Sequence, residues 1–259
     1  MPDATATVQS ADGTTIAYEE AGEGRPLIVI GGAFNHRHSA DVLKEQLAPH
    51  FTVYVHDRRG RGESGDTAPY SIEREVEDVD ALIASAGGSA YVYGHSSGAM
   101  LAMEAASRGS AITKLAVYEP PYTADPDDPT PLSDGGVQAA IDAGDRELAA
   151  ENFMRLTGMD ENSIQWVKQA PFWPGMVAMA HTLPYDLALT GDGRVPTDRL
   201  AAITASTLVM DGGTSPGWAG RAAASVAAAI PGARRLTVEG QDHGVDQTVL
   251  APLLAEFFG

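Results

Sequence analysis

Short, almost continuous apolar runs recur along the chain, with amphipathic stretches between them. "PLIVI" at 26–30, "FTVYVH" at 51–56, "AYVYG" at 90–94 and "KLAVYE" at 114–119 are too apolar for strands with one wet face. They predict strands buried on both faces. "SADVLKEQLA" at 39–48 predicts a helix capped by Ser39. "SIEREVEDVDALIASAG" puts Ile72, Val76, Val79, Leu82 and Ile83 on one helical face, with acids in its early turns. "SGAMLAMEAAS" has the small and apolar residues of a buried helix, and residues 4–20 predict a hairpin turning at Asp12-Gly13. Strands alternating with helices predict an α/β fold, a mostly parallel central sheet flanked by helices.

The alternation breaks at Pro120-Pro121. Residues 122–198 are rich in Pro, Asp and Gly, with helical stretches near 137–157, 161–170 and 175–189 and no buried strand. Strand signals resume with "TLVMDGG" at 207–213 and "RRLTVEG" at 234–240, with a helix over 217–229 between them and a last helix in "DQTVLAPLLAEFF". The expected organisation is a core domain of residues 1–121 and 199–259, with residues 122–198 inserted as a helical cap. Such an insertion would lie over the carboxyl ends of the strands, where open α/β sheets bind ligands.

Composition narrows the partners. A formal net charge of −18 argues against nucleic acid and anionic membranes. The one basic cluster, "DRRGRGESG" at 57–65, is short and has no interleaved aromatic residues to stack bases. No apolar run approaches the roughly 20 residues of a membrane span. The first ten residues lack the pattern of a signal peptide, so a cytoplasmic location is expected. With no cysteine there is no disulfide framework, thiolate metal site or cysteine nucleophile. The expected partner is a small-molecule substrate; monomer and homodimer remain equally open.

Candidate chemistry centres on Gly94-His95-Ser96-Ser97-Gly98, placed between a strand and a helix. A turn that sharp excludes side chains two residues either side of the serine, and the following helix aims its positive end at the site. A serine hydroxyl needs a base to take its proton. His243, in "EGQDHGVD" between the last strand and the last helix, is the candidate. The histidines at 36, 38, 50, 56, 95 and 181 read as structural, with His95 a possible pocket wall.

On these motifs the chain resembles a lid-bearing, esterase-like serine hydrolase of the α/β-hydrolase superfamily over nearly its full length. The resemblance implies Ser96 as nucleophile and His243 as base, with the acid between them in chain order. It implies that the turn Gly31-Gly32-Ala33-Phe34 lends an oxyanion-hole N–H from Ala33, with Phe34 as the alternative, and that Ser97 lends the second. "DRRGRGES" at 57–64 is similar to a family segment that forms a structural loop beside the site. The chain departs from the family at the acid, because Ser215 stands where Asp is usual. Glu119, ending the strand after the nucleophile helix, resembles the catalytic Glu of some haloalkane dehalogenases. Asp211 is the alternative acid, and Asp242 is too close to His243 in sequence to orient it.

The expected reaction is hydrolysis of a carboxylic ester, lactone or thioester through an acyl-enzyme, with no metal and no cofactor. Phe34, His95, Trp173 and Met176 are the expected pocket residues, while Trp166, Phe172, Met179 and the acids of the insertion read as packing or solvated positions. A lyase or carbon–carbon hydrolase on the same scaffold, and a binding protein without turnover, are the alternative functions.

Overall fold

A computed structural model describes residues 5–124 and 134–259. The hairpin forms from β1 (Ala6–Gln9) and β2 (Thr15–Ala21), and the Asp12 carboxylate accepts from the Thr14 N–H at 2.9 Å in its turn. The apolar runs become β3 (Arg25–Ile30), β4 (Phe51–His56), β5 (Ala90–His95), β6 (Ile112–Tyr118), β7 (Ser206–Gly212) and β8 (Arg234–Val238). They form one eight-stranded sheet in the order β1-β2-β4-β3-β5-β6-β7-β8. Among the described residues only β1–β2 and β2–β4 are antiparallel pairs.

The consecutive apolar residues are explained by the two faces they fill. Ile28, Ile30, Val92, Leu115, Val117 and Val209 face one core, shared with α2 (Ile72–Ser85), α3 (Ser97–Ser107) and α10 (Gly217–Ala229). Their neighbours Leu27, Val29, Tyr91, Tyr93, Ala116 and Met210 face a second core, under α1 (Asp41–Leu47) and α11 (Gln247–Phe258). In α2 the predicted face buries Val76, Val79, Leu82 and Ile83, each contributing about 1.5–3 kcal/mol of hydrophobic stabilisation. Ser71 caps that helix at the Arg74 N–H.

The helix expected over 39–48 begins instead at Asp41. Residues 37–40 form a 3-10 turn capped by the His36 ring, and the Ser39 hydroxyl reaches back to accept from the His36 N–H at 3.2 Å. Ser39 therefore closes a capping box and does not cap α1.

Between β6 and β7 stand α4 (Val137–Asp142), α5 (Arg146–Leu156), α6 (Glu161–Lys168), α7 (Trp173–Met179), α8 (Leu183–Thr190) and α9 (Thr197–Leu200). The stretch expected at 137–157 is two helices because Gly144 turns with φ 76° and Asp145 starts a new one by capping Leu148. The stretch at 175–189 is likewise divided by a 3-10 turn at 180–182 before Pro184 restarts α8. Residues of α4 to α8 share a core of their own, into which Ala33 and Phe34 pack from the loop after β3, whereas Leu189 of α8 and Leu200 of α9 join the core with α2 and α3. Contacts from Arg58, Arg61 and Ser97 join α8 to the loop after β4 and to the first residue of α3. α8 thus meets segments that leave the carboxyl ends of β4 and β5. Among the described residues no helix is long and apolar enough to cross a membrane.

Candidate active site

Ser96 sits at the turn between β5 and α3 with φ 56° and ψ −123°. A Cβ on Gly94 would lie 2.5 Å from the Gly98 carbonyl oxygen, and one on Gly98 would lie 2.3 Å from that of Ile30. Both contacts are with backbone, which cannot swing aside, so the turn requires glycine at each position. The Ser96 N–H is anchored by the Tyr118 carbonyl at 2.9 Å. Ser97 opens α3, so its N–H belongs to the first turn, which has no intrahelical acceptor.

Among the described residues only three non-glycine residues have positive φ: Phe34 (58°), Ser96 (56°) and Glu119 (44°). None is a residue type that adopts this region readily, and strained backbone concentrates at functional sites. All three occupy sequence-predicted site positions.

Ser96, His243 and Glu119, although far apart in sequence, form one hydrogen-bonded line. Ser96 Oγ is 3.2 Å from His243 Nε2, and His243 Nδ1 is 2.7 Å from Glu119 Oε2. The other oxygen, Glu119 Oε1, accepts from the Gly212 N–H at 2.8 Å. Burial pushes the Glu119 carboxyl up, but its bonds to His243 and the Gly212 N–H, with the Ser215 hydroxyl nearby, outweigh it and hold it below the usual carboxylate range. His243 itself is half exposed.

The loop carrying His243 is held from below. Tyr118 Oη donates to the Asp242 carbonyl at 2.7 Å, and the His95 ring stacks on Tyr118 at 5.4 Å with planes 7° apart. His95 is also 5.1 Å from the His243 ring. Burial, with His243 nearby, lowers the His95 pKa to about 3, so it is neutral. The Asp242 carboxylate faces the other way, accepting from the Gly244 N–H at 2.8 Å.

Asp211, the alternative acid, is not brought to His243. Its two oxygens accept from Arg235 Nε at 2.8 Å and Nη2 at 3.0 Å, and Thr237 Oγ1 adds a bond at 3.2 Å. The side chain leaves the strand end on the side of β8, with its charge already neutralised.

On the oxyanion side, Gly32 lies against the nucleophile: a Cβ there would be 2.9 Å from Ser96 Cβ. The Gly32 N–H is occupied by Asn35 Oδ1 at 3.0 Å, which leaves the next N–H groups, of Ala33 and Phe34, as the ones to consider. Phe34 meets Phe153 edge-on at 5.5 Å and packs, with Ala33, in the cluster that contains Trp173 and Met176. Trp166 and Phe172 are exposed and contact each other at 6.4 Å. A cavity of about 210 Å³ lies behind the site, lined by Gly31, Asn35, His56, Tyr93, His95 and Gly244 among others. Burial and the nearby Arg58 charge lower the pKa of His56 to about 4.

The basic cluster of residues 57–65 is not a surface patch. Arg58, Arg59 and Arg61 are almost wholly buried. Arg58 Nε and Nη2 bind the Glu75 carboxylate at 2.6 and 3.0 Å, and Arg59 binds Asp78 through two bonds of 2.7 Å. Arg58 Nη1 donates to Asp186 Oδ1 at 2.7 Å, and Arg61 Nη2 donates to both Asp186 oxygens at 2.9 and 2.7 Å. Asp186, expected among the solvated acids of the insertion, is thus a buried partner of two arginines. The sequence reading missed it, as it missed Tyr118 and Asn35. The only local signal at Asp186 was its place within "HTLPYDLALT", a nearly uncharged helix.

A family model described as "Alpha/beta hydrolase family" matches residues 27–251. An α/β hydrolase from Sphaerobacter thermophilus is 49% identical, with a TM-score of 0.93 over 98% of this chain and all of that one. The N-formylmaleamate deformylase of Pseudomonas putida is 33% identical over 106 residues, a match covering 39% of this chain and only 40% of that protein. The esterase EaEST from Exiguobacterium antarcticum shares the fold, with a TM-score of 0.78 at 22% identity over 98% of this chain and 99% of that one. With the sheet order, the elbow and these matches together, the chain belongs to the alpha/beta hydrolase family.

Proposed function

We propose that the protein is a serine hydrolase that cleaves a small-molecule carboxylic ester, lactone or thioester through an acyl-enzyme. The observation that carries this reading is the line Ser96–His243–Glu119, with both bonds at hydrogen-bonding distance. His243 keeps its Nδ1 proton directed at Glu119, which leaves Nε2 as the acceptor for the Ser96 hydroxyl proton. Ser96 Oγ attacks the substrate carbonyl as His243 takes that proton, and the Ala33 and Ser97 N–H groups stabilise the oxyanion. The imidazolium then protonates the leaving group. Water repeats the sequence on the acyl-enzyme: His243 takes its proton, the acid product forms, and Ser96 regains its hydrogen.

Glu119 contributes orientation and charge. It meets His243 from the buried side, so it touches no substrate. The inserted helices act as a cap, with Phe34, Trp173 and Met176 facing the acyl group and His95 supporting the base. The likeness to esterases and to a deformylase adds a formamide to the substrates worth trying beside esters, lactones and thioesters.

The test is a fluorophosphonate probe together with short- and long-chain p-nitrophenyl esters. The wild type should be labelled and turn over an ester, and Ser96→Ala should do neither while melting near the wild-type temperature. Wild-type turnover in Ser96→Ala would refute the mechanism. A wild type that is neither labelled nor active would favour a binding protein.

A further inference from the structure

We propose that Asp186, on α8 of the inserted segment, is a positioning residue that sets the geometry of the oxyanion hole through Arg61 and Ser97. This rests on the serine-hydrolase reading above.

An oxyanion hole needs two N–H groups from separate segments held to within about 0.5 Å of their working positions. Here those segments are the loop after β3 and the first turn of α3. One buried ionic cluster spans both. Arg61 Nη1 donates to the Gly32 carbonyl at 2.6 Å. Arg58 Nη1 lies 3.4 Å from the Gly31 carbonyl and 3.2 Å from Ser97 Oγ. Ser97 Oγ in turn donates to Asp186 Oδ1 at 2.6 Å. Asp186 is the shared anchor of all of these, since it binds Arg58, Arg61 and Ser97 at once.

The bond to Gly32 acts on Ala33. The Gly32 carbonyl and the Ala33 N–H belong to one planar trans peptide and point in opposite directions. An arginine gripping the oxygen therefore fixes where the N–H points. It also polarises that peptide, which strengthens the N–H as a donor. Arg61 is placed by Asp186 on one side and by Thr182 on the other, where Arg61 Nε donates to Thr182 Oγ1 at 3.1 Å. Both anchors belong to the inserted segment. The cap thus reaches the reacting atoms from behind the oxyanion loop, without touching substrate.

A merely structural role predicts something different. Arg59–Asp78 is an equally buried ion pair that ties the same loop to α2, yet it bonds to none of Gly31, Gly32 or Ser97. It is the control. Asp186→Asn and Asp78→Asn are compared with wild type for melting temperature, kcat, KM and inhibition by a trifluoromethyl ketone, whose adduct carries an oxyanion. Asp186→Asn should lower kcat by about tenfold to a hundredfold, less than the loss of a whole donor. KM should stay within about twofold, and ketone affinity should fall in parallel with kcat. Asp78→Asn should lower the melting temperature and leave kcat and ketone affinity unchanged. Should Asp186→Asn not fold, Arg61→Lys replaces it: the charge stays, but an ammonium cannot grip Asp186 and the Gly32 carbonyl with one planar fork. Wild-type kcat in the folded variant, or equal losses in the Asp78 control, would overturn the positioning role. A wild type that the fluorophosphonate does not label would instead count against the serine-hydrolase reading.

Discussion

Glu119 and Asp211 stand at the carboxyl ends of neighbouring parallel strands, each about 2% exposed, yet they have opposite partners. Asp211 is neutralised by a guanidinium that keeps its charge at any accessible pH, and its backbone continues β7 without strain. Glu119 faces a half-exposed imidazole whose other nitrogen reaches Ser96 Oγ, on a backbone bent to φ 44°. Burial does not separate the two. What separates them is whether the partner in turn reaches the Ser96 hydroxyl, and whether the chain has been bent to make the contact.

The largest effect should follow from breaking that contrast at Glu119. Glu119→Gln should lower kcat by about 10⁴-fold, since an amide N–H facing Nδ1 favours the wrong tautomer. KM should change little. Asp211→Asn should leave kcat within a few-fold of wild type and cost about 1 kcal/mol of stability, because Arg235 is partly exposed and its pair is screened. Measuring kcat for both variants on one activated ester checks the assignment. A crippled Asp211→Asn with a near-normal Glu119→Gln would reverse it.

Histidines extend the comparison. His243 is half exposed and faces a carboxylate, whereas His56 is buried and its pKa is lowered from 6.5 to about 4. The folded state therefore binds a proton at His56 less readily than the unfolded chain does. That contribution is complete above pH 6.5 and is lost as pH falls towards 4, to a total of about 3 kcal/mol. Glu119, whose carboxyl is held low, acts in the same direction further down: its contribution is present above the unfolded carboxylate range and disappears as pH falls through its folded value. Burial raises the Asp78 carboxyl to about 6, which acts in the opposite direction over the same range, so the His56 part is read as a difference: between pH 6.5 and 4 the urea midpoint should fall less, or rise more, in His56→Gln than in wild type. An unchanged slope in the variant would mean that His56 does not carry this part.

The two kinds of buried charge also differ in how far they can be read from sequence. The strands were legible because residues buried on both faces leave continuous apolar runs such as "PLIVI". The elbow was legible because close backbone contacts demand Gly94 and Gly98 at fixed spacing. Glu119 stood out by its place at a strand end before two prolines. Asp186 had no such mark. Its partners Arg58, Arg61 and Ser97 lie about 90 to 130 residues away, and the nearly uncharged stretch around it is too weak a mark to separate a buried acid in a helix from a solvated one. The helix boundaries between β6 and β7 were blurred for a related reason: the turn at Gly144 and the 3-10 turn at 180–182 interrupt stretches that read as continuous helices.

The smallest expected effect tests whether the site can be rebuilt in the usual arrangement of the family. Ser215 follows β7, and its hydroxyl is among the groups that lower the Glu119 carboxyl, so it lies close to that carboxylate. In the Glu119→Gln background, Ser215→Asp should place a carboxylate within reach of His243 and restore kcat on the order of tenfold, or about 1.4 kcal/mol of barrier. The recovery should be partial, because the Gly212 N–H that now supports Glu119 is aimed at a different oxygen position. In the wild-type background the same substitution crowds two carboxylates around one imidazole. One of them should then bind a proton at higher pH, and the acidic limb of the kcat profile should move upward. No recovery in the double variant, with kcat unchanged in Ser215→Asp alone, would mean that the aspartate does not reach the imidazole, and that only the bent backbone at Glu119 brings a carboxylate to His243.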